Sequence, residues 1–298
     1  MSRVARLPSR RWAGLDAHRP RPWKQTTNCI FCGVEASQTP EGALTNEHVY
    51  SNWTRRFVPR TTKMFRSLRA TAHPDRTDFI FAKRPGDVRD WQVLCVCPAC
   101  NNGWMRQNID DRARPIMIPL IQGQRVRLSQ DQQRIIATWA AMKAMVAEYG
   151  ESEYVTTHHT QRKYLMKHHL PPKNGWSVWI AHYYSVNAPM LWFASPFLVL
   201  PEQTVARRRN RRATHYNGHA STQIIGQLLI HVIRSPHPRR ARMFRFHLPH
   251  KQAIFRIWPP TSYGLTWPAS TIDDASASYI AEAVREFLIR SGQRPPST

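Results

Sequence analysis

The chain of 298 residues carries 43 Lys and Arg against 19 Asp and Glu, a formal charge of +24. With 42% hydrophobic residues, including 11 Trp and 11 Phe, it has enough apolar side chain for a packed core, which excludes an intrinsically disordered chain. No apolar run approaches the roughly 18–20 residues of a membrane-spanning helix, so no membrane association is expected.

Residues 1–25 form a basic arm with Arg3, Arg6, Arg10, Arg11, Arg19, Arg21 and Lys24. It has no apolar core segment and so is no secretory signal; its composition suits an organellar transit peptide or an arm that orders on a phosphate backbone. Residues 26–112 contain Cys29-x-x-Cys32 and Cys97-x-x-Cys100, separated by a basic stretch from Pro59 to Asp90 that reads as a long loop or short hairpin. Ser129 and Gln132 have the spacing of a capping box. Ile135, Trp139, Met142, Val146 and Tyr149 then recur on one helical face up to Gly150. A shorter helix covers Thr160 to His169. Strand-like runs follow at Trp176–Tyr184, Leu191–Leu200, Gln223–Ile233, Met243–Leu248 and Ile254–Trp258, with a last helix starting at Asp273-Asp274. The expected architecture is α+β: the cysteine-bounded unit, then residues 113–298 as an α+β domain with an antiparallel sheet.

Charge points to the partner. Between Gln203 and Ile272 there are 12 Arg or Lys and no carboxylate. Such a field favours a polyanion through counterion release, so nucleic acid is the expected ligand. Arg207, Arg208, Arg209, Arg211 and Arg212 are either a solvated loop or a phosphate-contacting one. His158-His159 and His168-His169 lack a nearby acid, and so read as a solvated or DNA-facing basic helix rather than a metal site. Trp176, Trp179, Trp258 and Trp267 read as core.

Five cysteines, four of them in two knuckles, imply a tetrahedral zinc site and a reducing, cytoplasmic setting rather than a disulfide framework. Cys95, between Leu94 and Val96, reads as a buried thiol. The 64 residues between Cys32 and Cys97 exceed the span of a simple zinc ribbon, so the loop is expected to carry something besides the zinc.

That loop, with Thr45-Asn46-Glu47-His48-Val49 inside it and Leu94-x-x-Cys97-x-x-Cys100-Asn101 at its close, resembles the zinc-bearing branch of the HNH endonucleases. The resemblance implies a ββα-metal unit over residues 26–112 that hydrolyses DNA phosphodiesters. By that resemblance His48 is the general base, and Glu47 and Asn101, with Asn102 as the rival to Asn101, hold a divalent catalytic ion such as Mg²⁺ through oxygen. Cys29, Cys32, Cys97 and Cys100 hold structural Zn²⁺, and Arg55 and Arg56 join the nucleic-acid contacts. Gln92 stands where the family has an Asn, with Asp90 a rival for the place. Adjacent Glu47 and His48 face opposite sides of a strand, so a strand end is expected to re-aim one of them. Asn101 is expected as a helix N-cap as well as a ligand, and Glu47→Ala is expected to spare folding. A catalytically degenerate DNA-binding protein and an RNA-cleaving nuclease of the same fold are the alternatives.

Overall fold

A computed structural model describes residues 26–57, 60, 64–72, 77–85, 87–150, 155–185, 191–197, 218–236, 253–260, 263–268 and 270–281. The basic arm, the Arg207–Arg212 run and the Met243–Leu248 strand expectation lie outside them.

The cysteine-bounded unit is built on strand β1 (Thr45–His48), a hairpin of β2 (Met64–Ala72) and β3 (Thr77–Pro85), and strand β4 (Gln92–Val96). β1 and β4 pair antiparallel, with Thr45 opposite Val96 and His48 opposite Gln92. Helix α1 (Pro98–Cys100) follows at once. Pro98 opens it where no N–H is needed, and the chain continues through a π-helical stretch, Asn101–Asp110, into α2 (Asp111–Ile121). Gly103, with ψ of −115°, marks the kink between the two windings. The stretch from Pro59 to Asp90 is thus mainly a hairpin. Its strand β2 pairs in parallel with a much later strand, Leu191–Phe197, and so joins the large sheet.

Strand β5 (Val126–Ser129) leads into helix α3 (Gln130–Gly150). The capping box forms in both directions: Ser129 N–H donates to Gln132 Oε1 at 2.8 Å, and Gln132 N–H donates to Ser129 Oγ at 3.2 Å. Ser129→Ala should lower stability by about 1 kcal/mol, read as a drop in denaturation midpoint with an unchanged denaturant slope. One apolar face was expected of α3, yet every residue from Ile136 to Glu148 is buried. The helix packs against β4 of the cysteine-bounded unit and against the large-sheet strands Trp176–Tyr183, Leu228–Arg234 and Ile254–Trp258, so it is enclosed all round.

Helix α4 (His159–His168) is followed by β6 (Trp176–Tyr183), β7 (Leu191–Phe197), β8 (Gly218–Ile225), β9 (Leu228–Arg234), β10 (Ile254–Trp258), β11 (Gly264–Trp267) and β12 (Thr271–Ile272). A helical stretch over residues 274–281 (α5) begins beside Asp273, whose Oδ1 accepts from Ser276 N–H at 2.9 Å. The single strand expected over Gln223–Ile233 is a hairpin. Gly226 turns it at a φ of +55°, and a Cβ there would meet Ile121 O at 2.6 Å. The large sheet runs β10-β6-β9-β8-β7-β2-β3, with β12 added alongside β6. All of its pairings are antiparallel except β2 with β7 and β12 with β6. The fold is therefore α+β, and one buried cluster runs from Cys29 through α3 to Trp267. Trp176, Trp179, Trp258 and Trp267 are all buried, as read from the sequence. Among the described residues no helix is long and apolar enough to cross a membrane.

Candidate functional site

The cysteines define the first centre. The sulfurs of Cys29, Cys32, Cys97 and Cys100 all lie within 4.8 Å of one another, and Cys32 and Cys97 are 3.6 Å apart. Tetrahedral Zn²⁺ with Zn–S near 2.3 Å needs sulfurs about 3.8 Å apart, so the cluster fits the ion. Gly33, at a φ of +83°, turns the first knuckle and donates its N–H to Cys29 O at 2.9 Å. Ile30, inside that knuckle, is fixed from both sides: its N–H donates to Cys95 O at 3.0 Å, and its carbonyl accepts from Arg162 Nε at 2.8 Å. The thiols compete for charge. A hydrogen bond from Cys100, against the cost of burial, pulls Cys29 down to about 4, while burial pushes Cys32 up to about 11. Only a bound cation would let all four ionise this close together. Cys95 is fully buried, and burial raises its thiol well above the ordinary value, as suits an inert core residue.

The β1–β4 pair carries the second set of residues. His48 and Gln92 are direct cross-strand partners, and Gln92 Nε2 lies 2.8 Å from His48 Nε2. Asp90, the rival for this place, is instead ion-paired with Arg55. Partial burial, then the charges of Arg55 and Lys143, lower the pKa of His48 below the ordinary imidazole value. Asn101 sits one residue beyond the last cysteine. Its Nδ2 donates to Thr45 Oγ1 at 2.9 Å, and Thr45 Oγ1 donates to Val96 O at 3.0 Å, which ties the helix start to both strands. Asn101 is not the N-cap. Cys97 takes that role, accepting from Cys100 N–H at 3.4 Å, because the second knuckle itself turns the chain into the helix and leaves Asn101 already helical.

Glu47 departs furthest from expectation. The strand end does not re-aim it, because the irregularity in β1 lies between Thr45 and Asn46, before the Glu47-His48 pair. Strand alternation therefore holds. His48 meets Gln92 at the half-exposed edge, while the Glu47 carboxylate turns inward and is 6% exposed. There Lys143 of α3, with no exposed surface, donates to Glu47 Oε1 at 2.5 Å and to His48 O at 3.0 Å, and pairs with Asp110 Oδ2 at 3.6 Å. Asp110 Oδ1 in turn accepts from Ser51 Oγ and, at 2.7 Å, from Trp139 Nε1. The two carboxylates raise the pKa of Lys143 despite its burial, so the ammonium stays charged. Glu47→Ala would leave that charge without its shortest partner, so the expectation that this change spares folding gives way.

Sequence reasoning missed Lys143, Asp110 and Ser51. One signal was present: Lys143 is a single charge in the apolar run Trp139-Ala-Ala-Met-Lys-Ala-Met-Val, four residues from Trp139 and hence on the same face. Each proposed oxygen ligand keeps one atom free: among the described residues no hydrogen bond reaches Glu47 Oε2 or Asn101 Oδ1. Of the basic candidates, Arg55 is held by Asp90, whereas Arg56 is exposed. His158 caps α4 by accepting from Thr160 N–H, and His169 ends it in a left-handed turn. Comparison with protein-family models, with curated proteins and with solved structures returned no match.

Proposed function

We propose that the chain is a zinc-stapled, metal-dependent endonuclease of the HNH kind that hydrolyses DNA phosphodiesters. The observation that carries this reading is the His48–Gln92 pair at one end of the β1–β4 ladder. The four-cysteine cluster lies at the other end, and Asn101 beyond it is tied back to Thr45. Glu47 and Asn101 would hold a divalent ion through oxygen, and the ion would supply positive charge to the phosphate and to the leaving 3′-oxygen.

The remaining work falls to side chains of the chain itself. For His48 to act as a base, Gln92 must present its amide oxygen to Nε2–H, an orientation the amide reaches by a simple flip. Nδ1 then keeps its lone pair and takes the proton of the attacking water. The lowered pKa keeps the ring neutral, as a base must be. Lys143, bonded to both the Glu47 carboxylate and the His48 carbonyl, fixes the strand end that presents them. Arg56, which is exposed, would contact the phosphate backbone. Products would carry 5′-phosphate and 3′-hydroxyl ends.

The engagement of Glu47 with Lys143 favours one rival reading, a zinc-stapled DNA-binding protein that does not cut. Zinc-loaded protein incubated with supercoiled plasmid, with and without added Mg²⁺, separates the two. Nicking is expected only with the ion, and His48→Ala should lower its rate by about 100-fold or more with unchanged zinc content and circular dichroism. Plasmid binding without nicking under any divalent ion would leave the DNA-binding reading standing. A structured RNA cut in preference to the plasmid would change the substrate but keep the chemistry.

A further inference from the structure

A cavity of about 560 Å³ opens where the π-helical stretch, α3, the end of α4 and the end of β10 meet. None of Glu47, His48, Gln92 and Asn101 lines it, so it is separate from the site proposed above. Its floor is apolar or buried: Ile109 and Thr138 are 1% and 3% exposed, and Trp258 is 6% exposed with its indole N–H directed to Pro172 O. Ile135 and Leu170 extend that floor.

The rim is cationic. Arg112 and Lys173 are exposed, and neither has a carboxylate partner among the described residues. Arg134 is neutralised by Asp131 at 2.8 Å, which leaves the first two as the uncompensated charges. His169 forms one wall. Its left-handed backbone, with φ of +51°, lets its carbonyl accept from Thr138 Oγ1 at 3.1 Å, while its ring stacks on Trp104 at 5.9 Å and 12°. The Asn108 side-chain amide lies 3.4 Å from His169 Nε2 and holds the ring from its other edge. The imidazole is thus fixed in place as a polar wall of the cavity.

A pocket of a few hundred Å³ with an apolar floor and a few fixed polar groups suits one small organic ligand. Uncompensated Arg and Lys at the rim select an anionic group on that ligand, phosphate above all. We propose that this cavity binds one nucleotide unit, its base over the Ile109–Trp258 floor and its phosphate between Arg112 and Lys173. That unit comes either from a free nucleotide or from a strand passing over the surface.

Calorimetric titration of the full chain, carrying His48→Ala so that no probe is cut, tests this without reference to cleavage. The probes are AMP, ribose 5-phosphate, inorganic phosphate and a DNA tetranucleotide. AMP or the tetranucleotide should bind, and more tightly than ribose 5-phosphate or phosphate. Arg112→Glu and Lys173→Glu should each weaken that binding at least about tenfold, the size of one charge-assisted hydrogen bond. Lys163→Glu with Lys167→Glu, on the exposed side of α4 and outside the cavity, should leave it within about twofold. Binding of AMP assigns the site to free nucleotides, and binding of the tetranucleotide alone assigns it to a strand. Equal affinity for AMP and phosphate would overturn the role of the floor. Equal losses from the cavity and α4 variants would reduce the effect to net charge and overturn the site.

Discussion

Cys97→Ser is expected to release the zinc and unfold the cysteine-bounded unit. Cys97 has two further roles beyond its place in the four-sulfur cluster: its sulfur caps the helix at Cys100 N–H, and its carbonyl accepts from Asn101 N–H at 3.0 Å. Structural zinc contributes an apparent ~10–16 kcal/mol in zinc-finger peptides at neutral pH, comparable to the ~5–15 kcal/mol that holds a typical domain folded. Losing it therefore removes the whole margin. Metal analysis should show one zinc per chain in the wild type and none in the variant, and proteolysis should open the variant between residues 26 and 57. Cys95→Ala is the control, since Cys95 is equally buried but belongs to no cluster, and it should retain the zinc. A well-folded wild-type chain with no zinc would refute the assignment.

Lys143→Met should lower stability by about 3–5 kcal/mol, the range found when one partner of a buried ion pair is removed. The ammonium has no exposed surface, and it faces Glu47 Oε1, Asp110 Oδ2 and the His48 carbonyl. Methionine fills the volume, so the loss is electrostatic: two carboxylates remain near each other with no cation between them. The Glu47→Leu, Lys143→Met double variant should recover much of the loss, because an apolar pair in place of a buried ion pair is often neutral. Urea unfolding of the four proteins of the cycle provides the measurement. A single-variant loss under about 1 kcal/mol would show that the network is solvated rather than buried.

Buried Lys143 also bears on the proposed chemistry. A divalent ion at Glu47 Oε2 would share the carboxylate with an ammonium on its other oxygen, which lowers the negative charge available to the ion. The same ammonium stops Glu47 from rotating and holds the end of β1 through the His48 carbonyl. Rigidity of the site and affinity for the ion thus pull in opposite directions at one residue.

Much of this was written into short-range pattern. The CxxC spacing, the Ser129/Gln132 box and the β-branched runs each depend on residues a few positions apart, and their geometry follows from backbone periodicity alone. Gln92 was legible only through the family resemblance, with Asp90 as its rival, and the β1–β4 register decides between them by setting Gln92 opposite His48. Other features were not legible for physical reasons. Gly226-Gln227 turns a continuous apolar run because the turn packs on the end of α2. The all-round burial of α3 arises from elements on both sides of it. The parallel pairing of β2 with β7 joins residues more than a hundred positions apart.

By itself, the sequence determined a folded α+β chain and a four-cysteine cluster. Those depend on composition, local periodicity and the chelating geometry of two knuckles. Tertiary structure alone decided where Glu47 points, what neutralises it, and that Arg112, Lys173 and Trp258 surround one cavity. Such outcomes depend on packing across the whole molecule. A carboxylate on the inner face of a strand must find a cation, and it found Lys143, which lies 96 residues away in the chain.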